Sequence, residues 1–203
     1  RELHETVSLL YNCPSIVMWV PFNEGWGQFD ANKAVDAIRS MDATRTIDHA
    51  SGWHDQKGGD VKSLHVYYKA YRYKGDSYGR AEVLSEFGGY SHHIPEHSFS
   101  QKEFGYKRLP SSEALTQAFE KLYAHEIIPS KAKGLSATIY TQLSDVEHET
   151  NGFVTFDRAV VKMDEERVRA INAQLSDAKK AAEDTAQTVS EVPTEPAAEQ
   201  PEA

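Results

Sequence analysis

Cysteine is nearly absent from this chain. One residue, Cys13, in 203 excludes an internal disulfide framework and a cysteine-rich zinc site. The lone thiol is compatible with a reducing, cytoplasmic compartment and does not require one. Long apolar runs are missing as well. None approaches the roughly 20 residues that span a bilayer, so a soluble protein with no membrane partner is expected. No basic n-region with an apolar h-region opens the chain, and its first stretch, "RELHETVSLL", starts without Met and resembles the middle of a helix. Positive charge is scarce too, with 22 Lys and Arg against 31 Asp and Glu and a net charge of -9. No basic stripe is present, which excludes a nucleic-acid partner. No internal repeat is found.

What is present is enough apolar sequence, 39%, for one domain with a core. The acidity is uneven. Residues 181–203 hold Glu183, Asp184, Glu191, Glu195, Glu199 and Glu202 with no Lys or Arg, three prolines and no aromatic residue. That composition predicts a disordered tail or linker after a domain at residues 1–180.

Within the domain two hydrophobic periods alternate. Short apolar runs at Ser15–Val20, Thr46–His49, Val61–Tyr67, Ala81–Phe87 and Leu135–Gln142 predict buried strands. Between them Ala31, Ala34, Val35 and Ile38 share one helical face, as do Leu115, Phe119, Leu122 and Tyr123, with Ile127 following. A last helix is expected from Asp164, an N-cap residue, with Val168, Ile171 and Leu175 as its apolar face. The strand-helix rhythm predicts an α/β fold with parallel strands. Long loops rich in Trp, His, Tyr and Gly follow the strands, and such loops carry binding and catalysis.

Two carboxylates end apolar runs: Glu24 in "VMWVPFNEGWG" and Glu86 in "VLSEFGGY". Parallel neighbouring strands would deliver both to one face. Either Glu alone is an ordinary surface residue, because most Glu side chains are exposed. Their company points to more. Asn23 precedes Glu24 and can bond a sugar hydroxyl, while Trp26, Trp53 and Tyr140 offer flat faces for a sugar ring. Gly88-Gly89 allows a tight turn beside a crowded site. Cleavage of a glycosidic bond needs one carboxylic acid and one carboxylate.

"NCPSIVMWVPFNEGWG", "SGWHD", "VLSEFGGY" and "YTQLSDVEHETNGFVTFDR" resemble, in order, blocks of the catalytic barrel of glycoside hydrolase family 2. That is the family of β-galactosidases and β-glucuronidases. The resemblance implies a partial (β/α)8 TIM barrel, about strands four to eight, and a β-glycoside substrate cleaved without a cofactor. It implies Glu24 as acid/base and Glu86 as nucleophile of a retaining reaction, with their carboxyl groups about 5–5.5 Å apart. It also implies a tyrosine beside the nucleophile, matched by Tyr67 in preference to Tyr68. His65 and Trp53 become walls of the sugar site, and Glu147 a sugar contact from the strand-eight loop.

Some features depart from the family pattern. Cys13 stands where many members have His and reads as structural. The Asn-x-Lys pair of family β-glucuronidases is matched by Asn151-Gly152-Phe153, without the Lys, which favours a β-galactosidase-like enzyme. The family's first three barrel strands and β-sandwich domains have no counterpart here, so the expectation is a fragment with exposed strand edges, poorly soluble or inactive alone. The competing reading is a non-catalytic carbohydrate-binding remnant, and a β-glycosidase for another sugar is a third. His92, His93 and His97 lack metal-ligand spacing and read as a solvated loop, and Asp145, Glu147 and Glu149 read as part of a loop that shapes the site.

Overall fold

The computed structural model describes residues 1–175, and the expected acidic tail at 181–203 lies outside them. The predicted runs become strands β1 (Met18–Trp19), β2 (Thr46–Ile47), β3 (Val61–Val66), β4 (Ala81–Gly88) and, later in the chain, β7 (Ala137–Thr141). All pair in parallel, β1 with β2 and β3 with β4 and then β7. Two short strands were not expected: β5 (Tyr90–Ser91) and β6 (Lys107–Arg108) pair with each other in the loop after β4. Two residues are too few to leave a period in the sequence.

β1 is shorter than its apolar run because side chains replace the ladder. The Ile16 carbonyl accepts from Arg45 Nε at 2.8 Å and the Val17 carbonyl from Thr46 Oγ1 at 3.1 Å. A similar substitution links β2 to β3. The Ile47 N–H donates to Asp60 Oδ2 at 2.7 Å, and Arg39 Nη2 binds both Asp60 oxygens at 2.7 and 2.9 Å.

The apolar faces form two cores. Helices α1 (Glu2–Leu10) and α2 (Ala31–Met41) close over β1 and β2, where Val7, Trp19, Val35, Ile38 and Ile47 are buried together. α3 (Ser112–Leu122) and the π-helical turn after it (Tyr123–Ile127) cover β4 and β7 through Leu115, Phe119, Leu122, Tyr123 and Ile127, packed on Leu84 and Phe87. Ser111 caps α3 by accepting the Ala114 N–H at 3.2 Å. A helix over residues 165–175 follows Asp164, whose Oδ1 accepts the Arg167 N–H at 3.0 Å. Val168, Ile171 and Leu175 pack on the second core, as their spacing predicts.

Candidate active site

β4 is buried nearly throughout, and one irregularity decides what its end presents. Leu64 pairs with Leu84 but His65 pairs with Glu86, so Ser85 is an extra residue in β4. Side chains alternate along a strand. The bulge therefore puts Ser85 and Glu86 both on the inner face, with Leu84 and Phe87 both on the helical core. A regular strand would send Glu86 into the core beside Leu84.

Glu24 arrives by another route. Beyond β1 and β2 the chains pair again, with Ser51 N–H donating to the Phe22 carbonyl and Glu24 N–H to the Ser51 carbonyl, both at 2.9 Å. Glu24 then adopts φ 53° and Gly25 φ 80°. Gly25 suits this turn because φ 80° is left-handed backbone that glycine adopts without steric cost; a Cβ there would also meet the exposed His54 ring at 2.6 Å.

The two carboxylates meet at His65. Its Nδ1 lies 2.8 Å from Glu24 Oε1 and 3.3 Å from Glu86 Oε2, and these three ligand atoms all lie within 4.8 Å of one another. Its Nε2 is 3.0 Å from Ser51 Oγ. Below lie the buried hydroxyls of Ser51, Ser63 and Ser85, with Ser63 and Ser85 2.5 Å apart. Buried Asp48 faces Ser63, and burial pushes its carboxyl above the ordinary 3.8. His65 was expected to wall the sugar site; instead it is buried between the carboxylates, on a polar floor.

On the other side of Glu86, the Tyr67 hydroxyl donates to Oε2 at 2.5 Å and is 3.0 Å from Thr141 Oγ1. Burial, then the Glu86 carboxylate, push the Tyr67 phenol well above its ordinary 10.0, so it stays a donor. Tyr106 stacks on Tyr67 with ring centroids 3.6 Å apart, within 3° of parallel. Gly89 makes room for the stack: a Cβ there would lie 2.2 Å from Tyr106 Cδ2. Tyr68, the alternative to Tyr67, is 79% exposed.

The remaining expected site residues divide. Trp53 stands beside His65, ring centroids 6.3 Å apart, and is half exposed. Asn23 and Trp26 are exposed on the Glu24 turn, where the Asn23 carbonyl accepts the Trp26 N–H at 3.0 Å. Tyr140 is not at the site. It pairs with Phe87, and the two share the face toward the helices, where Tyr140 packs on Phe87, Phe119 and Phe153. Its hydroxyl is sealed there without a hydrogen bond of good geometry, although the Tyr90 backbone is close. Thr141, the next residue, faces the site instead.

Glu147 lies on the loop after β7. It sits exposed at φ 51° on the turn closed by Val146 and Glu149. Glu149 is the acid nearer the site: it accepts from Gln142 Nε2 at 3.0 Å and, with Glu24 and Glu86, raises the Tyr106 pKa after burial. Asp145 accepts from Lys162 Nζ at 2.6 Å in the interior. His92, His93 and His97 turn to three different acceptors, the Leu109 carbonyl, the Ser100 carbonyl and Asp157. Among the described residues, the group able to hold a metal ion is Glu24, His65 and Glu86; an ion there would occupy both carboxylates. Ser51, Tyr106 and Thr141 were not expected at the site, and Glu149 was expected only as part of a loop that shapes it.

Two carboxylates and a phenol brought together from parallel strands are an arrangement that acid/base and nucleophilic chemistry can use. The family model for glycosyl hydrolases family 2, TIM barrel domain, matches residues 2–132. The chain belongs to that family of glycoside hydrolases. Among curated proteins, none matches the chain.

Proposed function

We propose that this site hydrolyses β-glycosides by retaining double displacement, with β-galactosides as the favoured class, and that β1, β2, β3, β4 and β7 are barrel strands four to eight within a domain at residues 1–180. The observation that carries the mechanism is the spacing of the carboxylates, whose facing oxygens lie within 4.8 Å. Such a close approach lies on the side of the about 5–5.5 Å between carboxyl groups in retaining enzymes and leaves less than the about 6.5–9.5 Å that inverting enzymes keep for a water.

In the first step a Glu86 oxygen bonds to the anomeric carbon, the bond from that carbon to the aglycone oxygen breaks, and the Glu24 proton passes to the leaving oxygen. In the second, Glu24 takes a proton from water, the water oxygen bonds to the anomeric carbon, and Glu86 is released as carboxylate. Tyr67 donates to Glu86 Oε2 and fixes the direction of its carboxyl group. Asn23 binds a sugar hydroxyl, and Trp53 and Trp26 line the sugar.

A glucuronide is disfavoured because Phe153 stands where family β-glucuronidases carry Lys, and Lys162 does not replace it. It is fully buried, with Nζ on Asp145 at 2.6 Å and on the Thr150 and His92 carbonyls at 2.8 and 3.1 Å. It cannot also pair with a sugar carboxylate.

The test is a 2-deoxy-2-fluoro-β-galactosyl fluoride trap of the full gene product, followed by peptide mapping. One sugar on Glu86 is expected. A label on another residue would refute the nucleophile assignment, and labelling only by the gluco or glucurono analogue would refute the sugar class.

A further inference from the structure

Resting on that retaining mechanism, we propose that His65 is a positioning residue whose Nδ1–H follows the negative charge of the carboxylate pair through the reaction. The pair carries one negative charge throughout. In the resting site the charge is on Glu86 while Glu24 is an acid; in the glycosyl-enzyme Glu86 is an ester and the charge is on Glu24. Each state needs a donor at a different carboxylate. Tyr67 serves Glu86 alone among the two. Glu24 has one side-chain hydrogen-bond partner among the described residues, His65 Nδ1.

Nδ1 hydrogen-bonds Glu24 Oε1 at 2.8 Å, and Glu86 Oε2 lies 3.3 Å away, a contact that a small turn of the ring would make a hydrogen bond. In the glycosyl-enzyme an unprotonated Nδ1 would set its lone pair against an ionised Glu24 oxygen, so the hydrogen resides on Nδ1. The ring is held for this task. Ser51 Oγ lies 3.0 Å from Nε2 and, with the hydrogen on Nδ1, its hydroxyl donates to Nε2. Gly52 leaves room for the ring edge, since a Cβ there would lie 2.5 Å from Nδ1. The donor changes partner with little movement while the chemistry moves the charge.

The two amides that mimic one ring nitrogen each provide the test. Asn places its amide nitrogen near the position of Nδ1, and Gln places its own near Nε2. In the full gene product, His65→Gln should lose roughly 10- to 100-fold in both steps, the loss of a hydrogen bond to a charged group. The glycosylation step is read as kcat/KM on a substrate with a poor leaving group, and deglycosylation as kcat on a dinitrophenyl glycoside. His65→Asn should recover most of the loss in both. A space-filling role would favour Gln instead, so Gln equal to or better than Asn would overturn the proposal, as would a loss confined to one step.

Should either variant fail to fold, 15N-histidine NMR of the wild-type protein answers the question. A hydrogen on His65 Nδ1 is expected before and after trapping with the fluorosugar, its resonance shifting between the two. An unprotonated Nδ1 in the trapped protein would overturn the proposal. If Glu86 takes no label at all, the retaining mechanism itself fails, a result distinct from either of these.

Discussion

Glu86 stands in the middle strand of a three-stranded ladder, whereas Glu24 stands on a turn beyond a two-residue strand. Around Glu86 the contacts are dense: Tyr67 donates to it, Tyr106 stacks on Tyr67, and Thr141 meets the same phenol from β7. Glu24 has left-handed backbone, a glycine after it, and His65 as its side-chain partner. The contrast suits the proposed roles. A nucleophile must hold one line of attack, while an acid/base must serve first the leaving oxygen and then a water. Rigidity is built where geometry is fixed, and a turn is used where one group faces two partners.

The sharpest way to break this comparison is to remove each carboxylate. Glu86→Gln should lower kcat by at least about 10⁴-fold on every aryl glycoside. Glu24→Ala should cost about 10²- to 10⁴-fold with a poor leaving group and far less in the glycosylation step with dinitrophenol, which needs no proton. Equal losses from the two variants on both substrates would erase the distinction between the roles.

Next in size is Tyr67→Phe, expected to lower kcat/KM roughly 10- to 100-fold by removing a hydrogen bond to a charged group. Its pH signature is separate. Folded Tyr67 titrates above its ordinary 10.0 because of burial and Glu86. Its contribution to stability is therefore complete below pH 10 and is lost as the pH rises from there toward the folded value. Thermal melts should show the wild type falling more steeply than Tyr67→Phe above pH 10.

The two glycines test the supports. Gly89→Ala drives a Cβ to 2.2 Å from the stacked Tyr106 ring at φ 63° and should cost about 1–3 kcal/mol in urea unfolding. Gly25→Ala meets the exposed His54 side chain, which can move aside, so about 1 kcal/mol of left-handed strain should remain. The smallest effect belongs to Tyr140→Phe. Its hydroxyl has no well-formed hydrogen bond, so stability should change by less than about 1 kcal/mol, and kcat by less than a factor of two if the ring lies outside the site.

Much of this was legible in the sequence. The five parallel strands, both helix faces, the Asp164 cap and the position of Glu24 and Glu86 after apolar runs follow from apolar periods, whereas Tyr67 beside Glu86 was expected from the family resemblance alone. What escaped was facing and register. Tyr140 and Thr141 are adjacent on β7 and point to opposite sides, and only the pairing of Phe87 with Tyr140 tells which one meets the site. The bulge at Ser85 changes the alternation of β4 midway, and no residue type announces it. Burial of Val61, Ser63 and His65 in alternation along β3 did leave a signal: a polar pair at period two in an apolar run marks a polar interior. Glu147 and Glu149 differ only in which side of a four-residue turn they occupy, and composition cannot separate them.

The spacing of Glu24 and Glu86 is tested most directly by the stereochemistry of the first product. Proton NMR of an aryl β-galactoside, followed from mixing with the full gene product, should show the β-hemiacetal first and the α-anomer only later by mutarotation. Appearance of the α-anomer first would mean inversion, and would contradict a carboxylate pair set for a glycosyl-enzyme.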